Sequence, residues 1–279
     1  MIHEFAFRDD RIGAITNFSM HLTTLFFPPI LANSDGGLIY AFEQSTAPGK
    51  AVLIALMLAS VFSWSVMVSK FRLLNSVRKH RGEFIDVFRS NRDPLHLYAG
   101  GLAFPGAAAY AVYEAACREL AFQLLGDSEV DGTFKYRVEN SEPISPSQMR
   151  VVNAAMDRAV GETSLRLESQ MIVLATAVSG APFIGLLGTV WGVMETFADV
   201  AKAGSASLSA MAPGVSAALI TTVTGLLVAI PAMFGYNYLV TSLRGTLVDL
   251  DNFSGELASA IEHLYVDHGE GRRRGGAGH

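Results

Sequence analysis

The sequence predicts an all-α protein that crosses a membrane three times and whose long helices extend into a cytoplasmic helical bundle. The first observation behind this is a set of uncharged runs. Nineteen such residues separate Lys50 from Lys70, 26 separate Glu168 from Glu195, and 41 separate Lys202 from Arg244. A helix needs about 20 mostly apolar residues to cross a bilayer, so all three runs suffice. The second observation is the placement of lysine and arginine. Three occur in the first 50 residues, thirteen between Lys70 and Gln170, and one, Lys202, between the second and third runs. The positive-inside rule then puts the N-terminus outside and both the middle segment and the C-terminus in the cytoplasm. The third is composition. Half of the 279 residues are hydrophobic and 17% are charged, with no basic, aromatic-studded patch for nucleic acid. Cys117 is the single cysteine, so no internal disulfide or cysteine metal cluster can form, and it reads as a small buried helix residue.

Residues 1–48 form the outer N-terminal segment. Within it, residues 13–34 lack charge but carry Asn17, His21, Thr23, Thr24 and Pro28-Pro29, which suit a lipid-facing helix poorly. They read as an amphipathic helix on the outer membrane surface, with a signal sequence or an extra span as alternatives. The first span is 49–70, rich in leucine, valine and methionine, as expected of a lipid-facing helix. The cytoplasmic helical domain is 71–170. Its opening stretch, FRLLNSVRKHRGEFIDVFRS, continues the first span with apolar residues at helical spacing. A second helix runs from about Pro105 to Leu125 and ends near Gly126, followed by a polar loop to Pro146. Ser145 as N-cap, Pro146 at the first helical position and Gln148 three residues after the cap announce the next helix. That helix is expected to continue to about Val200, roughly 80 Å at 1.5 Å per residue, with Gly180 and Pro182 as its only kink.

The second span is 171–197, an outer loop follows at 198–212, and the third span is 213–241. Residues 242–279 comprise an amphipathic helix and, after Gly269, a tail of disordered composition. The second span places Gly185, Gly188 and Gly192 at spacings of three and four, a row along which backbones can approach. No Gly-Lys-Ser/Thr follows, which excludes a phosphate loop. In the third span Thr221, Thr222 and Thr224 sit mid-membrane, with Ser216 a turn earlier, and Thr189 lies at similar depth in the second. These hydroxyls either bond back to their own helices or line a narrow hydrated path. Pro213 fits the start of the third helix, and Pro231 inside it should kink it or free a carbonyl. No charged residue or histidine occurs from 169 to 194 or from 203 to 243. Intramembrane acids usually mark proton routes. Glu195, near the outer end of the second helix, reads as an interfacial acid, so a proton-moving protein of this kind would take its acid from another chain. No nucleophile, base and orienting acid are grouped as an enzyme would need, and no metal or cofactor site is visible.

The segments VLIALMLASVFSWSVMVSKF, APFIGLLGTVWGVM and MAPGVSAALITTVTGLLVAIPAMFGYN resemble the three spans of the ExbB/TolQ/MotA proton-channel family. They cover about 60 residues, in the family's order and orientation. The resemblance implies a multi-pass protein of the bacterial inner membrane with its N-terminus periplasmic. It implies a homopentamer whose second and third helices line a central pore around a dimer of single-span, ExbD/TolR-like partners. The partner would supply a protonatable aspartate and the ring the threonines around it, here Thr189 and Thr222. A TonB- or TolA-like protein would receive the work. One position departs from the family: where many ExbB and TolQ sequences read APG-x-x-Glu, this chain has Ala217. A non-conducting scaffold of the same architecture is therefore the alternative reading.

Overall fold

The computed structural model describes residues 45–267 apart from Arg92, Ser205 and Ala206. The expected interfacial helix at 13–34 and the C-terminal tail lie outside the described residues. Among the described residues seven helices follow one another: α1 (Ala47–Ser90), α2 (His96–Ala99), α3 (Ala108–Leu125), α4 (Phe134–Glu139), α5 (Pro146–Glu168), α6 (Met171–Ala203) and α7 (Leu208–Tyr265). Among the described residues there is no β-strand, only one isolated parallel bridge between Ile144 and Val266. Among the described residues three helical stretches are long and apolar enough to span a bilayer: α1, the α5–α6 run and α7. The protein is an all-α, three-span membrane protein.

Local sequence explains most of the helix ends. Ser145 Oγ accepts from the Gln148 amide at 3.3 Å, and the Gln148 side chain accepts from the Ser145 amide at 2.9 Å. This capping box starts α5 with Pro146 at the first helical position, where a missing N–H costs nothing. Gly126 ends α3 in the left-handed conformation (φ 77°), its N–H bonded to the Phe122 carbonyl at 2.9 Å. The polar stretch after it is not wholly a loop, because Phe134 buries itself and anchors the six-residue α4. The third long helix begins at Leu208, five residues before Pro213, so Pro213 lies inside its second turn.

The long helix expected from Pro146 to Val200 is broken, and not at Gly180 or Pro182. Both of those residues lie within α6. The break falls at Ser169 and Gln170, and Gln170 has a φ of 66°. Lys70, 4% exposed, donates to the Leu167 carbonyl at 3.0 Å and to Ser169 Oγ at 3.1 Å. A cation on the last carbonyls satisfies a helix end and complements its dipole, so this contact stabilises the stop where no glycine or proline marks it. Pro182, by contrast, lies within an uninterrupted helix.

Two compact units divide the chain, with boundaries inside α1, near the start of α6 and inside α7. The unit within Met1–Ser63 and Ala175–Met233 has a small apolar cluster of Leu56, Ala181, Val228 and Ala229. The unit within Trp64–Leu174 and Phe234–His279 has a larger, aromatic one. There, the fully buried Phe84 stacks against Phe88, Phe104, Tyr110, Tyr113 and Phe253 at centroid distances of 5.5 to 6.2 Å. Tyr113 Oη donates to the Pro94 carbonyl at 2.6 Å and accepts from the Tyr98 amide at 2.9 Å. Cys117 is completely buried beside it, and burial pushes its thiol well above the ordinary range, which keeps it unreactive. Arg81 pairs with Asp249, and Arg89 makes a bidentate pair with Glu256 at 2.8 and 2.7 Å.

Candidate functional site

The site is built where α6 meets α7 in the first unit, and glycine makes it possible. A Cβ on Gly185 would lie 2.8 Å from the Thr221 carbonyl oxygen and 3.1 Å from Thr222 Cα. One on Gly188 would lie 2.7 Å from Thr221 Oγ1 and 2.9 Å from Val52 Cγ1, and one on Gly192 2.8 Å from Ala218 Cβ. From α7, Gly225 meets the Ala181 carbonyl in the same way at 2.6 Å, and Gly214 meets the Thr196 side chain. Real Cβ atoms essentially never come this close, so the two backbones approach only because these positions lack one. In lipid, where apolar burial drives helices together weakly, such close approach is the main source of packing energy.

The approach brings three hydroxyls into one cluster. Thr221, 1% exposed, lies within hydrogen-bond reach of the Gly185 carbonyl across the interface (2.9 Å) and of the Ala218 carbonyl on its own helix (2.7 Å). Thr222 donates to the Gly185 carbonyl at 3.2 Å. Thr189 Oγ1 contacts Thr222 Oγ1 directly and lies 3.3 Å from Thr221 Oγ1, 3.3 Å from the Gly185 carbonyl and 3.1 Å from that of Ala218. Each hydroxyl has one hydrogen to give and two lone pairs to receive. Three donors therefore face three hydroxyl and two carbonyl oxygens, and acceptor capacity exceeds donor capacity. Such a network can reorient without losing a bond, and its spare lone pairs suit a proton donor or a small cation.

The other expected residues are placed differently. Thr224 donates to the Ile220 carbonyl of its own helix at 2.9 Å, and Ser216 is exposed outside the cluster. Pro231 sits within α7 without ending it, leaving the Leu227 carbonyl without its usual backbone donor. Ala217, 5% exposed, borders a cavity of about 20 Å³ together with Ser45, Thr46, Thr196 and Thr221, room for about one water. Glu195 is half-buried. Thr196, which donates to the Gly192 carbonyl at 2.8 Å, and Gly214 opposite it are the residues that sequence reading passed over. Their signal was present: Gly214, Ala218, Thr221 or Thr222, and Gly225 form a small-residue row on α7 that mirrors the glycine row on α6.

Comparison with known proteins places the chain in a family. Residues 126–252 match the model of the MotA/TolQ/ExbB proton channel family. The Tol-Pal system protein TolQ of Haemophilus influenzae is 32% identical over 220 residues, 79% of this chain and 91% of TolQ. The biopolymer transport protein ExbB of Pseudomonas putida is 31% identical over 211 residues, 75% of this chain and 58% of that protein. ExbB of Salmonella typhimurium is 31% identical over 212 residues, 75% and 81% of the two chains. With a relative matched over nearly its whole length and a glycine-paired helix interface carrying the hydroxyl cluster, the chain belongs to the MotA/TolQ/ExbB proton channel family.

Proposed function

We propose that this chain is the ring subunit of an inner-membrane, proton-driven motor. Five copies surround a dimer of single-span partners similar to ExbD or TolR, with α6 and α7 facing the partner helices. The N-terminus is periplasmic, and the second unit, with its thirteen lysines and arginines between Lys70 and Gln170, is cytoplasmic. The observation that carries the reading is the Thr189–Thr221–Thr222 cluster, rich in acceptors and lacking an acid of its own. An aspartate on the partner, loaded from the periplasm and unloaded to the cytoplasm past these hydroxyls, would complete the path. Each elementary charge crossing releases about 2.3 kcal/mol per 100 mV, which a TonB- or TolA-like protein would carry to the envelope.

Ala217 favours a second reading, a non-conducting scaffold, because many related rings place a glutamate there. Substituting Thr189→Val and Thr222→Val together separates the two. The motor reading expects the variant to assemble with its partner and to lose at least tenfold of the function that restores growth of a deletion strain. Wild-type growth with both valines in place would sink the motor in favour of the scaffold. Purification without any single-span partner, as a stable monomer, would remove both.

A further inference from the structure

The three uncharged runs end together in the second unit. Leu74 and Val77 of α1, Leu167 of α5, Leu174 of α6 and Leu239 and Leu243 of α7 form one buried cluster, with Phe71 and Tyr236 packed against it. The first run ends at Lys70, the second begins after Glu168 and the third ends at Arg244, so this cluster lies at the edge of the hydrocarbon. Arg72, Arg166 and Arg244 stand one or two positions from its members and are exposed. None of the three makes a hydrogen bond or ion pair among the described residues. Elsewhere in this unit exposed arginines find carboxylates: Arg81 pairs with Asp249, Arg89 with Glu256 and Arg118 with Glu114. Residues 66–80, 162–174 and 236–248 hold six lysines and arginines against two acids, Glu162 and Glu168. Neither acid forms an ion pair, so the face stays positive. Tyr238, 49% exposed and stacked on Phe71 at 5.7 Å, supplies the aromatic side chain typical of a membrane–water boundary.

We infer that Arg72, Arg166 and Arg244 form a phosphate-binding collar for anionic phospholipid headgroups of the cytoplasmic leaflet. The inference rests on the topology proposed above and not on proton movement. Guanidinium groups without a carboxylate, set at headgroup depth on three helices, offer bidentate donors to phosphate. A long stem lets such a charge reach the headgroups while its methylenes stay in apolar surroundings. Arg78 and Lys79, six and seven positions beyond Arg72 or about 10 Å along α1, are also exposed and unpaired. They extend the positive face toward the water, where an anionic leaflet attracts it. The collar surrounds a buried core from three helices, and a leaflet presents phosphates on every side of such a surface. Bound headgroups hold the break at Ser169–Gln170, which Lys70 caps from α1, at the membrane surface.

The test reconstitutes the full chain in phosphatidylcholine vesicles. Electron paramagnetic resonance then measures how strongly spin-labelled phosphatidylglycerol is held relative to spin-labelled phosphatidylcholine. Wild type should prefer phosphatidylglycerol at least threefold, and Arg72→Gln/Arg166→Gln/Arg244→Gln should lose at least half of that preference. Arg118→Gln/Lys135→Gln/Arg150→Gln removes the same charge away from the collar and should leave the preference unchanged. No preference in wild type overturns the inference, as does an equal loss in the second triple, which would report net charge alone. Inorganic phosphate at constant ionic strength should leave the preference in place; its loss would assign the arginines to a soluble anion and overturn the lipid assignment. If the first triple fails to fold, judged by its helicity, the three single glutamine variants decide, and an unchanged preference in all three overturns the inference. Vesicle measurements do not depend on sidedness in the cell, which trypsin added to intact spheroplasts reports separately. Cleavage between Lys70 and Gln170 from outside would overturn the topology and the leaflet with it, whereas protection without a lipid preference overturns the collar alone.

Discussion

The two units of this chain are both made of packed helices, yet they are held together by opposite kinds of side chain. In the second unit the contacts are made by bulk. Phe84 touches five aromatic rings, and Tyr113, Leu120, Leu257 and Ile261 are fully or almost fully buried around them. In the first unit the decisive contacts are made where side chains are missing. Gly185, Gly188, Gly192, Gly214 and Gly225 let α6 and α7 come close enough for hydroxyls to reach carbonyls across the interface. On the proposed topology, with the second unit in the cytoplasm, the difference follows from the solvent. Water rewards the burial of large apolar surface, whereas lipid tails are as apolar as leucine, so helices there gain from close contact and polar bonds. The large apolar residues of the first unit accordingly point outward, among them Ile54, Met57, Phe62, Phe183, Val190 and Phe234's neighbour Met233.

The comparison can be broken most forcefully at Phe84. Phe84→Ala removes the centre of the aromatic cluster and should destabilise the second unit by about 3–5 kcal/mol. Proteolysis and thermal unfolding in detergent should show early loss of that unit with α6 and the part of α7 up to Met233 still protected. Simultaneous loss of both units would deny that they are held separately. Next in size is Gly185→Ala. A single methyl there meets backbone, not a flexible side-chain end, and should cost about 1–3 kcal/mol in the same unfolding assay. The same change at Gly161 in α5, where nothing lies within 4 Å, should instead stabilise by about 0.5–1 kcal/mol. A comparable loss at both positions would mean that close approach is not what glycine provides.

The smallest effect sharpens the comparison from the charged side. The hydrogen bond from Arg89 holds the Glu256 carboxyl below its ordinary range. A depressed carboxylate contributes stability above its unfolded value and loses it as pH falls through the folded one. Glu256→Gln should therefore lower stability at neutral pH and flatten its decline under acid conditions. Both side chains are more than a third exposed, so solvent screening limits the effect to under about 1 kcal/mol. Unfolding titrations from neutral to acidic pH check the sign, and a steeper acid decline in the variant would contradict it.

Helix ends written in local chemistry were legible beforehand: Ser145 with Gln148, Gly126 after α3, and the run of α1 to Ser90. The stop at Ser169–Gln170 was not, because Lys70, 97 positions before Leu167 and 99 before Ser169, helps to hold it. The start of α7 before Pro213 was missed because proline favours the first helical position, whereas here it lies in the second turn and forgoes one backbone hydrogen bond. At the site, Thr189, Thr221 and Thr222 were legible as mid-span hydroxyls at similar depth, the resemblance singled out Thr189 and Thr222, and the glycine row came from spacing. Which hydroxyl meets which carbonyl could not be read, since α6 and α7 each present more than one small face.

What the sequence determined by itself was the number of spans and the chemistry available in them. Long uncharged runs bounded by charge have few other places to go than lipid, and runs rich in Gly, Ala and Thr can bring helices close. Only the tertiary structure decided the register of α6 against α7 and the gathering of Thr189, Thr221 and Thr222 around the Gly185 carbonyl. The physical reason is that helical periodicity assigns residues to faces within one helix. The height and rotation at which two such faces meet are set by contacts between residues distant in the chain.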